Sequence, residues 1–251
     1  MKRRQDKFMD TNTGKRFYRK VFNGEDLVYF SKKIKQTDLC IGATHNLSLQ
    51  AGASIEKYRQ QVEQYIRKQP VFLDSLEPVK PLDDAPLIVK HMCQASALVG
   101  VGPMAAIAGA ISLYVATDLK KYSKELIVEN GGDIYISGKK ERTIGIYAGD
   151  STLSGKLGIK LEPQQLPISV CTSSGTVGHS LSFGKADAVV ILSRDACLAD
   201  AAATAIGNMV KRVSDIDLAL NKAQGIEEIV GVVIIIEDQM GVWGQVKLVR
   251  V

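Results

Sequence analysis

The chain has no uninterrupted apolar stretch long enough to cross a bilayer. Its longest candidate, Ala95–Ala116, is broken by Gly102, Pro103 and Ser112, whereas a membrane-spanning helix needs about 20 predominantly apolar residues. An apolar leader is also missing, because Lys, Arg and Asp recur throughout the first residues. These absences argue against secretion and against a membrane partner, and they predict a cytoplasmic protein.

Cysteine is scarce and shows no metal-binding or disulfide spacing. The four cysteines are Cys40, Cys93, Cys171 and Cys197; no two form a CxxC pair, and no histidine stands at zinc-finger spacing from them. A reducing compartment keeps such thiols free. We therefore expect no disulfide in this chain.

Positive charge is not in excess over most of the chain, although the formal net charge is +5. Residues 1–20 contain eight Lys or Arg against Asp6 and Asp10, and the remaining residues carry 24 basic and 25 acidic side chains. A nucleic-acid-binding face needs Lys and Arg spread over the fold, so nucleic acid is not expected as a partner. We predict a flexible basic tail at residues 1–14 and a single domain over residues 15–251.

The order of helical and strand-like segments predicts an α+β fold. Helices are predicted at Ser48–Gln69, at Leu87–Val99 and at Pro103–Leu119. From residue 126 onward, short apolar runs separated by glycine or charged turns predict strands, with a helix from about Asp195 to Arg212. Long helices and successive hairpin strands without regular βα alternation are typical of α+β proteins.

A first candidate site is the turn Asn130-Gly131-Gly132-Asp133 between two apolar strands. Two glycines allow positive φ and let the backbone approach a ligand without a Cβ in the way. Their amides could face a phosphate, with Asp133 starting the next strand. The alternative is an ordinary hairpin turn, because Gly and Asp are common turn residues.

A second candidate is the loop that follows a buried strand and contains Thr172, Ser173, Ser174, Gly175 and His179. Small hydroxyls and free backbone donors are suited to phosphate or sugar oxygens, although such composition is also common in flexible connectors.

The residue before this loop, Cys171, lies eight positions from His179. That spacing allows a Cys/His pair in which Cys171 acts as nucleophile. The alternative is a small buried side chain without chemistry.

A third candidate is the helical pair Asp200 and Thr204. Positions i and i+4 share one helix face, and a carboxylate with a hydroxyl offers the hard oxygen ligands that Mg²⁺ prefers. The alternative is an Asp that caps the helix or forms a salt bridge near its start.

Taken together in this order, the three motifs resemble the ApbE superfamily, over roughly Glu125–Asn208. Characterised members of that family are Mg²⁺-dependent FAD:protein FMN transferases. They cut FAD and attach its FMN half through a phosphoester to a Thr or Ser of a target protein. The resemblance implies a T-fold-like α+β architecture with mixed or antiparallel sheets and packed helices.

The resemblance also implies roles for individual residues. Asn130, Gly131, Gly132 and Asp133 would border the flavin nucleotide, FAD or FMN. The segment formed by Thr172, Ser173, Ser174 and Gly175 would contact its ribityl-phosphate region, and Asp200 and Thr204 would hold Mg²⁺. His179 would be the proton shuttle. One departure is clear: the Asp-Pro pair that follows this histidine in the transferases is absent from Ser180–Gly184.

The leading hypothesis is therefore an ApbE-like protein that binds a flavin or another nucleotide with Mg²⁺. The resemblance implies FMN transfer to a protein target, and the missing Asp-Pro pair leaves that activity open. Two alternatives stay open at this point. One is a sulfur or redox accessory protein that uses Cys171, and the other is a noncatalytic binding or assembly module. The sequence leaves the oligomeric state open, a homo-oligomer included.

Overall fold

The computed structural model describes residues 26–176 and 182–251. The predicted tail at residues 1–14 and His179 lie outside these ranges, and the assignment of residues 15–251 to one domain stays a prediction. The described α-helices and strands, in chain order, are β1 (Val28–Ile34), β2 (Thr37–Ala43), α1 (Ser48–Lys68), α2 (Val71–Asp74), α3 (Leu87–Val99), α4 (Ile107–Leu119), β3 (Leu126–Asn130), β4 (Asp133–Ser137), β5 (Arg142–Gly145), β6 (Leu157–Leu161), β7 (Ile168–Ser173), β8 (Ala188–Ser193), α5 (Ala196–Met209), α6 (Ile216–Gln224), β9 (Ile229–Ile236), β10 (Gln239–Gly244) and β11 (Lys247–Arg250).

Two sheets organise these elements. The larger has eight strands in the order β1-β2-β3-β4-β7-β8-β9-β10, and the smaller has three in the order β11-β6-β5. Every neighbouring pair in both sheets is antiparallel. Helices and antiparallel sheets combined in this way confirm the predicted α+β fold.

The two faces of the larger sheet pack against different layers. Val128 and Tyr135 belong to the cluster that includes Ile88 of α3 and Ile111 of α4. Ile134 of β4 belongs to a separate cluster, on the side of the smaller sheet. Because side chains alternate between faces along a strand, the residue two before Tyr135 also points toward the helices. That residue is Asp133, so the fold itself directs this carboxylate into the helical layer.

Two predicted elements are wrong in detail. The sequence pattern of Val242–Val249 predicts one strand, but the chain leaves the larger sheet at Gly244 and enters the smaller one as β11. Gly244 has a φ of 86°, a conformation that glycine adopts without strain, and a Cβ there would lie 2.3 Å from the Val230 carbonyl oxygen. The predicted helix Pro103–Leu119 is also divided, into a 3₁₀ turn at Pro103–Ala106 and α4.

Among the described residues, no single helix combines the length and apolarity needed to span a membrane. Only α3 and Pro103–Leu119, taken as a pair bent by 106°, meet that requirement together.

Candidate functional site

The Gly131-Gly132 turn is a two-residue hairpin connection between β3 and β4. The φ angles are 69° at Gly131 and 107° at Gly132, and hairpins of this length favour positive φ. The Gly132 amide donates to Glu129 Oε1 at 2.9 Å. Asn130 and Asp133 face each other across the turn. The hairpin interpretation is therefore correct locally, and the hairpin brings two polar side chains to the end of the sheet.

The start of α4 supplies backbone donors beside this hairpin. The 3₁₀ turn at Pro103–Ala106 ends there, and the first amides of an α-helix have no partner within the helix. The amide of Gly109 donates to Asp200 Oδ2 at 2.8 Å, and the amide of Ala108 donates to the same carboxylate. Asn130 Nδ2 donates to the Ala108 carbonyl oxygen at 3.2 Å. Strand β3, helix α4 and helix α5 thus meet at one point.

Asp133 lies close to Asp200 at this junction of β3, α4 and α5. Ile134 pairs with Val170, so Asp133 falls next to Cys171 one step along the antiparallel ladder. The Cys171 thiol and the Thr172 amide both hydrogen-bond the Asp133 carboxylate. Its Oδ1 atom, however, is buried without a hydrogen-bond partner. A buried oxygen without a partner is costly, and it indicates that a proton or a ligand completes this carboxylate.

Burial controls the ionisation of both carboxyls. It raises the pKa of Asp133 well above its ordinary value, and the nearby Asp200 charge raises it further. Burial also raises the pKa of Asp200 to about 7, although the two amides of α4 oppose the shift. At neutral pH the pair therefore retains at least one proton, because two close carboxylates cannot both ionise without compensation. A divalent cation would supply that compensation.

Cys171 does not have the environment of a nucleophile. Burial and the charges of Asp133 and Asp200 raise the pKa of its thiol well above the ordinary value. A reactive cysteine needs a lowered pKa and solvent access, whereas Cys171 is fully buried. The structure therefore counts against the thiol-dependent hypothesis and favours a role in holding Asp133.

The hydroxyl-rich segment begins at the end of β7, where Thr172 reaches the carboxylate site, whereas Ser174 and Gly175 contact other parts of the chain. Thr172 contacts Gly132 closely enough for a Cβ there to lie 3.7 Å from the Thr172 carbonyl oxygen. Ser173 Oγ would lie 3.6 Å from a Cβ at Gly207 of α5. Ser174 Oγ is 3.3 Å from Thr176 Oγ1, and the Gly175 amide donates to the Ala186 carbonyl oxygen at 2.8 Å.

The remaining predicted metal ligand, Thr204, is partly exposed one turn after Asp200 on α5.

A cavity of about 590 Å³ lies next to the carboxylate pair. Ala108, whose amide donates to Asp200, and Asn130, which donates to the Ala108 carbonyl oxygen, both line it. Most of its wall is apolar, and its cations are Lys35 and Arg59, both 2.7 Å from carboxylate oxygens of Glu63. Its lining comprises Lys35, Gln36, Thr37, Arg59, Val62, Glu63, Ile66, Leu73, Met104, Ile107, Ala108, Ile111 and Asn130.

Comparison with known protein families establishes the family to which this chain belongs. The family model described as AbpE bacteria matches residues 19–240. The chain belongs to this ApbE-like family. It is 41% identical over 227 residues to a UPF0280 protein of Methanocaldococcus jannaschii, covering 87% of this chain and 92% of the relative. A UPF0280 protein of Methanococcus maripaludis strain C7 is 42% identical over 226 residues, with the same coverage.

Solved ApbE structures share the fold at much lower identity. The apo flavinyl transferase ApbE of Pseudomonas stutzeri has a TM-score of 0.56 and 12% identity, with 89% of this chain and 94% of that chain covered. A point mutant of the flavin transferase ApbE of Vibrio cholerae has a TM-score of 0.54 and 13% identity, with 86% and 96% covered. These likenesses show the ApbE fold in this chain.

Sequence reasoning missed two contributors to the site of this ApbE-like chain. The amides of Ala108 and Gly109 lie within Pro103–Leu119, which the sequence predicts as one continuous helix. Amides inside such a helix would be bonded within it and would not be available to a carboxylate. Arg59 was not among the predicted site residues, yet its side chain is only 15% exposed and lines the cavity. The signal was present, because Arg59 shares the helical stripe of Ile55, Val62 and Ile66.

Gly109→Ala is expected to destabilise this ApbE-like chain, because a Cβ there would lie 2.1 Å from the Ala196 carbonyl oxygen and 2.8 Å from Asp200 Cβ. Forcing a methyl group into such contacts typically costs about 1–3 kcal/mol. Urea unfolding of both proteins measures the loss. Gly225→Ala is the matched control, since Gly225 has a helical φ of −75° and a Cβ there would lie 3.5 Å from the Lys222 carbonyl oxygen. Equal stability of the two variants would contradict the close contact between α4 and α5.

Proposed function

We propose that this chain binds a flavin nucleotide together with Mg²⁺ at Asp133 and Asp200, and that it transfers the FMN half of FAD to a hydroxyl group of a protein. The observation that carries the proposal is the pair formed by the buried Asp133 and the half-buried Asp200, beside a cavity that Ala108 and Asn130 line. The family membership supports it, and so do the two structural neighbours, which are a flavinyl transferase and a flavin transferase.

The donor set fits Mg²⁺. Asp200 and Asp133 offer carboxylate oxygens, one of which has no hydrogen-bond partner, and Thr204 adds a hydroxyl on the same face of α5 as Asp200. Mg²⁺ prefers such oxygen ligands and keeps waters or phosphate oxygens in its remaining positions. The raised pKa values of both acids mean that the cation would replace a proton at the pair.

The cavity fits a ligand with an apolar ring and a charged end. Its volume of about 590 Å³ lies within the range of roughly 300–1,000 Å³ that is usual for small-molecule sites. Val62, Ile66 and Ile107 supply apolar wall for the ring, while Asn130 offers polar atoms next to the carboxylates. Lys35 and Arg59 exceed Glu63 by one positive charge, which favours an anionic group.

In the transfer, the target hydroxyl oxygen attacks the phosphorus of the FMN half, and the bond to the AMP half breaks. Bound Mg²⁺ would neutralise charge on the pyrophosphate. The chain holds the carboxylates with the amides of Ala108 and Gly109, and Cys171 and Thr172 orient Asp133. His179, which lies outside the described residues, is the group proposed to take the hydroxyl proton.

The proposal predicts that FAD and FMN bind only in the presence of a divalent cation. Flavin fluorescence is titrated with protein in Mg²⁺ and again after addition of EDTA, and AMP release from FAD is followed in parallel. Saturable binding in Mg²⁺ that EDTA abolishes is the expected result.

Each other outcome has a definite meaning. Binding that is equal with and without Mg²⁺ would contradict a site in which the metal joins the carboxylates to phosphate. Absence of flavin binding in both conditions would overturn the proposal and leave a noncatalytic module. Binding without AMP release, in the presence of hydroxyl-bearing protein, would remove the transfer step alone.

A further inference from the structure

A second cluster of metal-ligand side chains lies where α3 meets the first turn of α5. Its members are His91, Asp195 and Cys197, and their ligand atoms all lie within 4.8 Å of one another. His91 Nε2 is 2.9 Å from Asp195 Oδ2. The cluster joins two helices that are separated by about a hundred positions of sequence, so no local spacing motif reveals it.

The first turn of α5 fixes two of these groups in place. Asp195 is the N-cap, and its Oδ1 atom accepts from the Cys197 amide at 2.8 Å and the Leu198 amide at 3.4 Å. The other oxygen, Oδ2, is thereby directed away from the helix end and toward His91. Capping and metal ligation would use different oxygens of the same carboxylate.

We propose that His91 Nε2, Asp195 Oδ2 and Cys197 Sγ form a zinc site, distinct from the Mg²⁺ site at Asp133 and Asp200. The borderline-soft Zn²⁺ binds imidazole, thiolate and carboxylate together, whereas Mg²⁺ takes oxygen ligands and has little affinity for a thiolate. Three protein ligands leave the fourth tetrahedral position to water or to another ligand. Zinc there would join α3 to the start of α5.

The geometry needs only small adjustments. Tetrahedral zinc with bonds of about 2.0–2.3 Å places its ligand atoms roughly 3.3–3.8 Å apart. The 2.9 Å contact between His91 and Asp195 would open slightly, and any longer separation within the 4.8 Å limit would close by at most about 1.5 Å.

The cluster is also accessible and its charges balance. Cys197 is fully buried, but the side chains of His91 and Asp195 are 28% and 26% exposed, so a cation reaches the site from their side. On binding, the Cys197 thiol releases its proton to solvent. One thiolate and one carboxylate then neutralise the two charges of zinc, while His91 binds as neutral imidazole.

The test measures metal binding by the full chain carrying Asp200→Asn, so that failure of the proposed flavin site does not affect the result. Protein stripped with EDTA is titrated with Zn²⁺ in excess Mg²⁺, and Co²⁺ is used as a spectroscopic probe. One equivalent of Zn²⁺ is expected, and Co²⁺ should give a near-ultraviolet thiolate-to-metal charge-transfer band.

Three variants remove one ligand each: His91→Asn, Asp195→Asn and Cys197→Ala. Each is expected to weaken Zn²⁺ binding by at least ~10- to 100-fold, because mutating residues that only hydrogen-bond to metal ligands already lowers metal affinity by that much. Cys197→Ala should also abolish the Co²⁺ band. Asp195→Asn is the most informative, because asparagine caps a helix as well as aspartate does while the carboxylate ligand is lost.

His45→Asn and Cys40→Ala are the matched controls, since His45 is exposed near the end of β2 and Cys40 is a buried thiol within β2. Both should retain one equivalent of Zn²⁺. Absence of Zn²⁺ binding in the parent chain, or unchanged binding in folded Asp195→Asn protein, would overturn the proposal.

Discussion

Asp200→Asn is expected to reduce Mg²⁺-dependent affinity for FAD by at least ~10- to 100-fold, because it removes a carboxylate that the proposed site uses as a metal ligand. The variant should fold, since the asparagine oxygen still accepts from the Gly109 amide that now donates to Asp200 Oδ2 at 2.8 Å. Calorimetric titration with FAD, at fixed Mg²⁺ and pH 8, measures the change.

Asp217→Asn is the matched control for this experiment. Asp217 is an exposed acid on α6, so its replacement makes the same change in charge without altering the carboxylate pair. It should bind FAD as the parent chain does. If Asp200→Asn retains parental affinity while remaining folded, the metal proposal fails. If it unfolds, Asp200 has a mainly structural role.

Most elements could be predicted because their sequence signals are local. The helices at Ser48–Lys68 and Leu87–Val99 match the predicted bounds to within one residue, since helical periodicity is set by neighbouring residues. The exchange between sheets at Gly244 could not be predicted in this way. It depends on the close approach of Val230, which is far from Gly244 in the chain.

The candidate site likewise has parts with local sequence signals and parts that depend on contacts between distant residues. Glycine pairs, hydroxyl-rich loops and an i, i+4 acid and hydroxyl are visible in sequence, and they led to Asp133, Thr172 and Asp200. The amides of Ala108 and Gly109 were not visible, because only the division of Pro103–Leu119 into a 3₁₀ turn and α4 frees them. The raised pKa values follow from burial between a sheet and two helices, which is a property of the assembled layers.

The raised pKa of Asp200 also predicts how stability depends on pH. Its folded-state value is about 7, against an ordinary value of 3.8. Between these values the native state binds more protons than the unfolded state, so the free energy of unfolding falls as pH rises from about 4 to 7. A shift of one pKa unit corresponds to about 1.4 kcal/mol, and the difference between 3.8 and about 7 therefore sets an upper limit of about 4.5 kcal/mol for Asp200.

Urea unfolding in EDTA at pH 5, 6, 7 and 8 is expected to show this fall in the parent chain and a smaller fall in Asp200→Asn. The remaining fall belongs to Asp133, whose pKa is also raised. Asp26 and Asp195 do not obscure the trend. Arg142 lowers the pKa of Asp26 and His91 that of Asp195, despite its burial, so their carboxyl contributions vary below pH 4.

Mg²⁺ should offset this fall in stability, because the cation binds the ionised pair and competes with its proton. Apparent Mg²⁺ affinity is then expected to rise up to tenfold per pH unit as pH approaches 7, and to level off above the pKa values of the pair. Stability in saturating Mg²⁺ should consequently change little between pH 6 and 8. A parent chain whose stability in EDTA rises or stays constant from pH 5 to 8 would show that Asp133 and Asp200 are not held as a protonated pair. The electrostatic reason for a cation at this position would then be lost.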